Sequence, residues 1–431
     1  MRPLSHLADT LADLGALNNW CGDQALRRYQ KDLLTHGSLT VRAPDTGQRH
    51  SATAHYAAPL EGCLYWFSAD TPFAVATGSL HLGNPITHLI TATGIHGVAG
   101  PKASPLADRA QKLLHTGTEP DQAITPSAQP IALLGHPNFA HYVWNEFPAL
   151  WHLNTAAPAA QIRMLYDPLG VTGAWCSQAG LTYQAMDNLA AARGWQAAPT
   201  CMIGATRCGA AAKDALLHLM GLAPDYAPQP QPCLYLSVRK VGRTIENQRP
   251  LLSRFAHTAL SAWPDLTLVF DGFSLPVDFD RSIYHPQRAT FERRITEARD
   301  VVSEITSDLP VSMRHRIHDI TGARLDDALQ EIRRCQYYIT HPGTQQHKAA
   351  WFYPLTGVMH GNLASVSPGS LAWHGSQVAG SLAPDGLPAS LIDDVATQDM
   401  HVANARNCNY RVTDLEKAVA HLMARVKALL D

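Results

Sequence analysis

Short apolar segments alternate with helix-length segments through the second half of this 431-residue sequence. The segments with the length and composition of strands are residues 234–238, 266–270, 337–340 and 355–359. The segments with helical spacing lie between and after them, at residues 250–263, 291–305, 325–335 and 345–353. Because strands joined through helices lie parallel in one sheet with right-handed crossovers, this order predicts a parallel α/β sheet.

The first half of the chain has a similar texture. Strand-like residues 130–134 and 162–166 flank a helical segment at residues 138–153. Residues 51–130 contain short β-like runs among many Gly, Pro and Thr residues, and their role stays open. A short amphipathic helix is predicted at the N-terminus, where the spaced residues are Leu4, Leu7, Leu11 and Leu14, with Gly15 as its stop signal.

A Pro-rich segment at residues 223–232 divides the two halves, since proline favours extended chain and stops helices. We therefore expect an α/β protein with two facing Rossmann-like domains. Residues 1–225 would form the first domain with its helical lead-in, and residues 226–410 the second. Residues 411–431 would form a closing C-terminal helix that crosses back.

The closing helix has its own start signal and apolar face. Thr413 and Glu416 have the spacing of a capping box. The apolar stripe expected to pack on a domain is Leu415, Val419, Leu422, Val426 and Leu429.

Composition excludes several classes of protein. The formal charge of −2 leaves no global basic field for nucleic acid. No apolar run reaches the roughly 20 residues of a membrane helix, and Asp9 and Asp13 stand where a signal peptide needs a basic and then apolar start. The eight cysteines form no CxxC pair. Scattered free thiols indicate a reducing compartment, so we expect a cytoplasmic protein, with peripheral association at the inner face of a membrane left open.

Ligands of doubly wound sheets bind beyond the carboxyl ends of the strands, so polar residues that follow strands are candidates. The first such cluster follows strand 130–134. His141 and Asn145 are i, i+4 neighbours on a helix, and Tyr142 and Glu146 are neighbours on the next face. We expect His141, Asn145 and Glu146 to point away from the core, with His141 or Glu146 as a general base. The alternative is a core helix with a solvated polar edge.

Two further clusters indicate anion binding. Arg239, Lys240 and Arg243 follow strand 234–238 and suit a diphosphate or carboxylate; the alternative is a solvated basic turn. The residues that follow strand 337–340 and open a helix are His341, Pro342, Gly343, Thr344, Gln345 and Gln346. Free amides and the helix dipole favour an anion there, against the alternative of an ordinary loop. His360 and Asn362 follow the next strand.

Metal and cofactor signatures are weaker. Asp278 and Asp280 form a D-x-D string, a pattern that binds a divalent metal in some sugar transferases. His315 and His318 have no further ligand close in sequence. The sequence has no GxGxxG, P-loop, GxSxG or HExxH motif. We expect no metal ligand and no cofactor.

Two segments resemble glycosyltransferase family 61-like proteins: NFAHYVWNEFPALWHL at residues 138–153 and LSVRKVGRTIENQ at residues 236–248. The resemblance implies a GT-B fold with the active site between its domains, and inverting, metal-independent sugar transfer from a nucleotide donor. Asn145 precedes Glu146 at the family's acidic position. His341-Pro342 stands where the family has His-Gly, and a His-Pro turn is also similar to sialyl- and Kdo-transferases, which use CMP-sugars.

These observations lead to one functional hypothesis. The chain would transfer a sugar from a UDP-, GDP- or CMP-sugar to a saccharide or glycoconjugate in surface polysaccharide synthesis. The expected donor-binding residues are Arg239, Lys240, Arg243, His341, Gly343, Thr344, Gln345 and His360. Asn138 and Asn145 would contact the acceptor, and His141 or Glu146 would be the catalytic base. The alternatives are a metal-dependent GT-A transferase that uses Asp278 and Asp280, and a non-catalytic carbohydrate-binding protein.

Overall fold

The computed structural model describes residues 3–17, 24–78, 86–99, 104–125, 127–222, 231–395 and 407–430. Most of the predicted linker, residues 223–230, lies outside the described residues. The chain divides into two compact units. Unit 1 comprises Met1–Ala212 with Asp280–Ile283, and unit 2 comprises Lys213–Phe279 with Tyr284–Asp431.

Unit 1 combines parallel and antiparallel sheets. Its strands are β1 Thr40–Arg42, β2 Arg49–Ser51, β3 Ala54–Ala58, β4 Gly62–Phe67, β5 Phe73–Thr77, β6 Ile86–Thr91, β7 Gly94–Gly97, β8 Ile131–Leu134, β9 Gln161–Met164, β10 Thr182–Ala185, β11 Gly194–Gln196 and β12 Thr200–Met202. Strands β10-β9-β8-β12 form a parallel sheet in that order. Strands β11-β3-β4-β5-β6-β7 form an antiparallel sheet, and β1 pairs with β2. Residues 51–130, whose role the sequence left open, thus build most of a second sheet.

The helices that begin in unit 1 are α1 Leu7–Leu17, α2 Gln24–His36, α3 Pro105–Thr116, α4 Phe139–His141, α5 Phe147–Ala156, α6 Thr172–Gln178 and α7 Ala210–Leu219, whose last residues belong to unit 2. Helix α3 covers one face of the antiparallel sheet with its apolar residues. Its ends are well specified, because the Ser104 side chain accepts a hydrogen bond from the Ala107 amide and Gly117 closes the helix at φ 66°. Gly15 does not stop α1, which continues to Leu17.

Unit 2 is built on one parallel sheet. Its strands are β13 Cys233–Ser237, β14 Thr267–Asp271, β15 Ile317–Asp319, β16 Tyr337–Thr340, β17 Thr356–Met359, β18 Asp385–Gly386, β19 Ile392–Val395 and β20 Asn409–Val412. The sheet order is β15-β14-β13-β16-β17-β18, all parallel, and β19 pairs with β20. This is the doubly wound order, in which the chain direction across the sheet reverses between β13 and β16. The predicted parallel α/β sheet is confirmed.

The helices of unit 2 are α8 Gln248–Ala262, α9 Arg288–Ser307, α10 Val311–Arg314, α11 Leu325–Ile332, α12 Thr344–Phe352, α13 Pro368–Ser376 and α14 Leu415–Leu430. Helix α14 belongs to this unit and packs its buried face into the core that includes α8. Two sequence expectations for α14 were wrong. Asp414 caps the helix by accepting the Lys417 amide at 3.0 Å, in place of the predicted Thr413 and Glu416. Leu429 is 42% exposed, because the buried stripe ends one turn earlier, at Val426.

Candidate functional site

The basic turn after β13 in unit 2 has a locally determined shape. Gln248, at the start of α8, accepts the Arg239 amide at 2.8 Å and donates to the Arg239 carbonyl at 3.0 Å. Gly242 and Arg243 both have left-handed backbone, with φ 61° and 52°. The two hydrogen bonds of Gln248 and the left-handed backbone of Gly242 and Arg243 hold the turn at the carboxyl edge of the sheet.

The ends of β13 and β16 are joined by side chains where the strand order reverses. The Ser237 hydroxyl accepts the His341 amide at 2.8 Å and lies 3.0 Å from His341 Nδ1. Gly343 then takes φ 94° before α12, and a Cβ there would lie 3.3 Å from Arg243 Nη2. Glycine is needed for this backbone angle. The Arg243 guanidinium therefore lies directly against the start of α12.

Helix α12 presents unbonded amides at this point. The backbone N–H groups of Thr344, Gln345 and Gln346 have no acceptor within the described ranges, and the first helical bond runs from His347 to the Gly343 carbonyl. The Gln345 side chain turns inward, where it accepts from the Tyr235 hydroxyl at 3.0 Å and donates to the Gly272 carbonyl. Gln345 therefore offers an anion its backbone amide, and its side chain instead holds the helix start against the sheet.

Neither arginine has a counterion among the residues that the structure describes. Arg239 donates to the Pro342 carbonyl at 3.1 Å and the Val241 carbonyl at 3.2 Å. No carboxylate in the described part of the chain stabilises the charge of either Arg239 or Arg243. Burial, and then repulsion by Arg243, lowers the pKa of Arg239 to about 10, and burial lowers the pKa of Arg243. Lys240 is exposed, so the alternative of a solvated charge applies to it.

Two buried histidines lie beneath this surface. The rings of His341 and His360 meet edge to face, with centroids 4.4 Å apart. His360 Nδ1 is 2.7 Å from the Tyr410 hydroxyl, and the Nε2 atoms of both histidines lack a hydrogen-bond partner among the residues that the structure describes. Burial lowers the pKa of His360 to about 4 and that of His341 well below its ordinary value. Both rings are therefore neutral at pH 7.

Several residues around these groups have structural roles. Ser237 and Tyr410 are not predicted from the sequence, because nothing near them in the chain indicates contacts with His341 and His360. The Asn362 side chain donates to the Cys408 carbonyl and accepts the Ser365 amide, both at 3.0 Å. Asn362 therefore shapes its own loop.

The predicted catalytic helix of unit 1 contains an irregularity that changes the direction of its side chains. Residues Tyr142–Glu146 form a π-helical turn between α4 and α5. A π turn adds a residue to the helical cycle, so side chains beyond it rotate away from the faces that a 3.6-residue period predicts. Asn145 and Glu146 are buried, and the expectation that they point away from the core was wrong.

Glu146 is held by backbone amides. Its Oε1 accepts from the Gly135 amide at 3.0 Å and the His136 amide at 2.9 Å, so the carboxyl group braces the turn after β8. Its Oε2 has no hydrogen-bond partner in the described part of the chain. Burial raises the pKa of Glu146 to about 7, although the two amide bonds oppose the shift.

The tautomer of His141 follows from its neighbours. The Asn145 amide nitrogen donates to the Ala205 carbonyl at 2.7 Å, which directs Asn145 Oδ1 toward His141 Nδ1, 3.1 Å away. Because Oδ1 only accepts, Nδ1 carries the proton and Nε2 carries the lone pair. Burial lowers the pKa of the half-buried His141, so the ring is neutral at pH 7.

The two asparagines predicted to contact an acceptor are engaged within unit 1. Asn138 caps α4 by accepting the Ala140 amide at 2.9 Å, and both ends of the Asn145 amide are bonded. A cavity of about 20 Å³ lies beside His141, Asn145 and Glu146. That volume holds about one water molecule.

Comparisons with known proteins add little to this geometry. No protein-family model matches the chain, and no curated protein matches it. The E. coli ADP-heptose LPS heptosyltransferase II is a similar solved structure, with 10% identity, 69% of this chain and 99% of that chain covered, and a TM-score of 0.34. The glycosyltransferase TibC from enterotoxigenic E. coli has 10% identity, coverage of 73% and 81%, and a TM-score of 0.31. These values are too low to assign this chain a family or an activity.

The metal patterns of the sequence remain scattered in space. Among the described residues, no three His, Cys, Asp or Glu side chains are grouped so that they could hold a metal ion. His315 and His318 are exposed, and Asp278 and Asp280 lie in the loop that precedes a 3₁₀ turn, Ser282–Gln287. No helix in the described part of the chain has the length and apolarity to cross a membrane.

Proposed function

We propose that this chain is a metal-independent glycosyltransferase of the GT-B type that uses a nucleotide-activated sugar. One observation carries the proposal: within the described residues, Arg239 and Arg243 have no carboxylate partner and lie beside the unbonded amides that begin α12. A nucleoside diphosphate, or the phosphate of a CMP-sugar, would supply the missing negative charge. Arginine binds phosphate oxygens in pairs, and a helix start favours anions.

The same groups suit the departure of the nucleotide. In the transfer, the bond between the anomeric carbon and the phosphate oxygen breaks while the acceptor oxygen bonds to that carbon. Negative charge then accumulates on the leaving phosphate. Arg239, Arg243 and the α12 amides would stabilise this charge without reorganising, which is the main electrostatic contribution that an active site makes.

The acceptor hydroxyl loses a proton during this transfer, and we assign its removal to His141. The lone pair on His141 Nε2 and the lowered pKa suit a neutral general base at pH 7. Glu146 is the weaker candidate, because one of its oxygens already accepts two backbone amides. A base that activates direct attack gives inversion at the anomeric carbon. Asn145 would hold the His141 ring in its productive tautomer.

The sequence resemblance at residues 138–153 and 236–248 supports the same assignment, because it covers both the His141 helix and the Arg239 turn. On that resemblance we further propose a saccharide or glycoconjugate acceptor and a role in surface polysaccharide synthesis. A cytoplasmic location, which the scattered thiols favour, remains part of this proposal.

A thermal-shift screen against UDP, GDP, CMP and their sugars tests the donor site. We expect one nucleotide to stabilise the protein, by about 2.7 kcal/mol at one hundred times its Kd. Arg243→Ala should lose this stabilisation, and Arg254→Ala, on the exposed side of α8, should keep it. Stabilisation of Arg243→Ala equal to that of the unaltered protein would overturn the donor site.

Transfer assays with the stabilising nucleotide sugar test the reaction itself. Both Arg243→Ala and His141→Ala should fail to transfer, while His141→Ala keeps the thermal shift. Activity that EDTA abolishes and Mn²⁺ restores would favour the alternative that uses Asp278 and Asp280. Nucleotide binding with neither transfer nor donor hydrolysis would favour a non-catalytic protein.

A further inference from the structure

A second cleft lies on the antiparallel sheet of unit 1. Its volume is about 480 Å³, within the usual range of roughly 300–1,000 Å³ for small-molecule sites. The lining residues are Tyr56, Arg109, Asp121, Gln122, Gly194 and Trp195. They come from β3, from α3, from the segment after α3 and from β11, so distant parts of the chain converge on one place.

Two aromatic rings line this cleft. Trp195 on β11 is directly opposite Tyr56 on β3, and their rings meet edge to face with centroids 5.3 Å apart. The Arg109 guanidinium carbon lies 4.5 Å from the centre of the Tyr56 ring. Stacking of this kind limits the movement of the guanidinium and leaves its N–H edge available.

Three of the polar side chains that line the cleft, those of Arg109, Asp121 and Gln122, are exposed. The Tyr56 hydroxyl makes no hydrogen bond with any other residue that the structure describes, and it is not one of the fully buried polar atoms. These three exposed side chains likewise make no hydrogen bond or ion pair within the described ranges. Their donors and acceptors are therefore available to a ligand that enters the cleft.

The chemistry of the cleft indicates which ligand would fit. Arg109 and Asp121 give it one positive and one negative charge, so it does not select a phosphate as the Arg239 and Arg243 site does. Arginine, carboxylate and amide groups bind pairs of neighbouring hydroxyls through two parallel hydrogen bonds. The negative face of an aromatic ring attracts the slightly positive C–H face of a pyranose.

We propose that this cleft binds an uncharged saccharide, which stacks on Trp195 and hydrogen-bonds to Arg109, Asp121 and Gln122. The cleft shares no lining residue with the His141 cavity. This proposal does not rest on the proposed transferase activity, and a non-catalytic protein would show the same binding.

The test applies the purified full-length chain to an array of neutral and acidic glycans, followed by calorimetric titration of the best neutral oligosaccharide. We expect a neutral glycan to bind best. Trp195→Ala and Asp121→Ala should each raise its Kd at least tenfold. Lys112→Ala is the matched control, because Lys112 is exposed on the same helix as Arg109 but does not line the cleft. It should bind as the unaltered protein does.

Asp121 is exposed, so Asp121→Ala keeps the test valid if Trp195→Ala fails to fold. The thermal shift with nucleotide should persist in Asp121→Ala, which separates this cleft from the donor site. The proposal is overturned if no neutral glycan binds, if acidic glycans bind more tightly, or if binding survives Asp121→Ala unchanged. A cleft that instead takes a peptide would give the first of these results.

Discussion

The candidate sites of the two units satisfy their polar side chains in opposite ways. In unit 1, His141, Asn145 and Glu146 are bonded to one another or to backbone groups. In unit 2, Arg243 has no carboxylate partner, and three amides at the start of α12 are unbonded within the described residues. The first arrangement fixes the orientation of a side chain, and the second leaves charge that a ligand must neutralise.

This difference separates two kinds of functional residue. A general base needs one tautomer and one orientation, which internal hydrogen bonds supply at little cost to stability. An anion site needs cations that the protein itself has not neutralised, and half-burying two of them costs stability until the ligand binds. Each site therefore predicts a different response to mutation.

The largest effect is expected when the proposed base of unit 1 is removed. His141→Ala should lower kcat by about 10²–10⁴, the usual contribution of a general base, with KM for the donor unchanged. Asn145→Ala should lower kcat less, because the ring remains but its tautomer is no longer held. Asn145→Asp should move the acidic limb of the pH profile upward, since a carboxylate beside Nδ1 raises the pKa of His141. Steady-state kinetics from pH 5 to 9 measure all three, and full activity in His141→Ala would remove the base assignment.

Local patterns were enough to predict most of unit 2. Strand Tyr337–Thr340 has its predicted bounds, and Gly343 correctly marked the start of α12, because short apolar runs and glycine turns are local signals. The pairing of His341 with Ser237 joins residues 104 positions apart, and that of His360 with Tyr410 joins residues 50 apart. Such contacts depend on the packed fold and leave no signal in a short window.

Unit 1 was harder to predict for two physical reasons. The π turn at Tyr142–Glu146 changes the helical phase, so a regular 3.6-residue period misplaced Glu146. The antiparallel sheet includes β11, whose partner β3 lies about 140 positions earlier, and pairing at that distance depends on tertiary packing.

A paired cation in unit 2 gives the sharpest contrast with the two arginines. Lys348 is 2% exposed and forms an ion pair with the fully buried Asp271, which also accepts the Tyr235 hydroxyl at 3.0 Å. Lys348→Met would leave a buried carboxylate without its cation, which costs about 3–5 kcal/mol of unfolding free energy. Urea unfolding measures the loss. The exposed pair of Arg411 and Asp393 is the control, and Arg411→Ala should cost less than about 1 kcal/mol.

The raised pKa of Glu146 predicts how unit 1 responds to pH. Its pKa is about 7 in the folded protein against an ordinary value of 4.5, so the protonated form is favoured by folding. This contribution is fully present below pH 4.5 and is lost as pH rises to 7, a change of about 3 kcal/mol. Glu146→Gln removes the titrating group and keeps an acceptor for the Gly135 amide. The difference in unfolding free energy between Glu146→Gln and the unaltered protein, measured in urea, should change between pH 4.5 and pH 7. A difference that does not change with pH would show that Glu146 stays ionised.

The smallest change in unfolding free energy is expected for Arg243→Ala, and the sign of this change is what the experiment tests. Repulsion from Arg243 helps to lower the pKa of Arg239, and no carboxylate in the described part of the chain loses a partner when Arg243 is removed. Arg243→Ala should therefore leave the unfolding free energy of the ligand-free protein unchanged or raise it by up to about 1 kcal/mol, the size of an exposed charge interaction. Urea unfolding with and without 1 M NaCl tests this, because salt screens the repulsion and should shrink the gain. A loss of more than about 2 kcal/mol, comparable to that expected for Lys348→Met, would mean that Arg243 is paired within the fold, and the contrast between the two sites would fail.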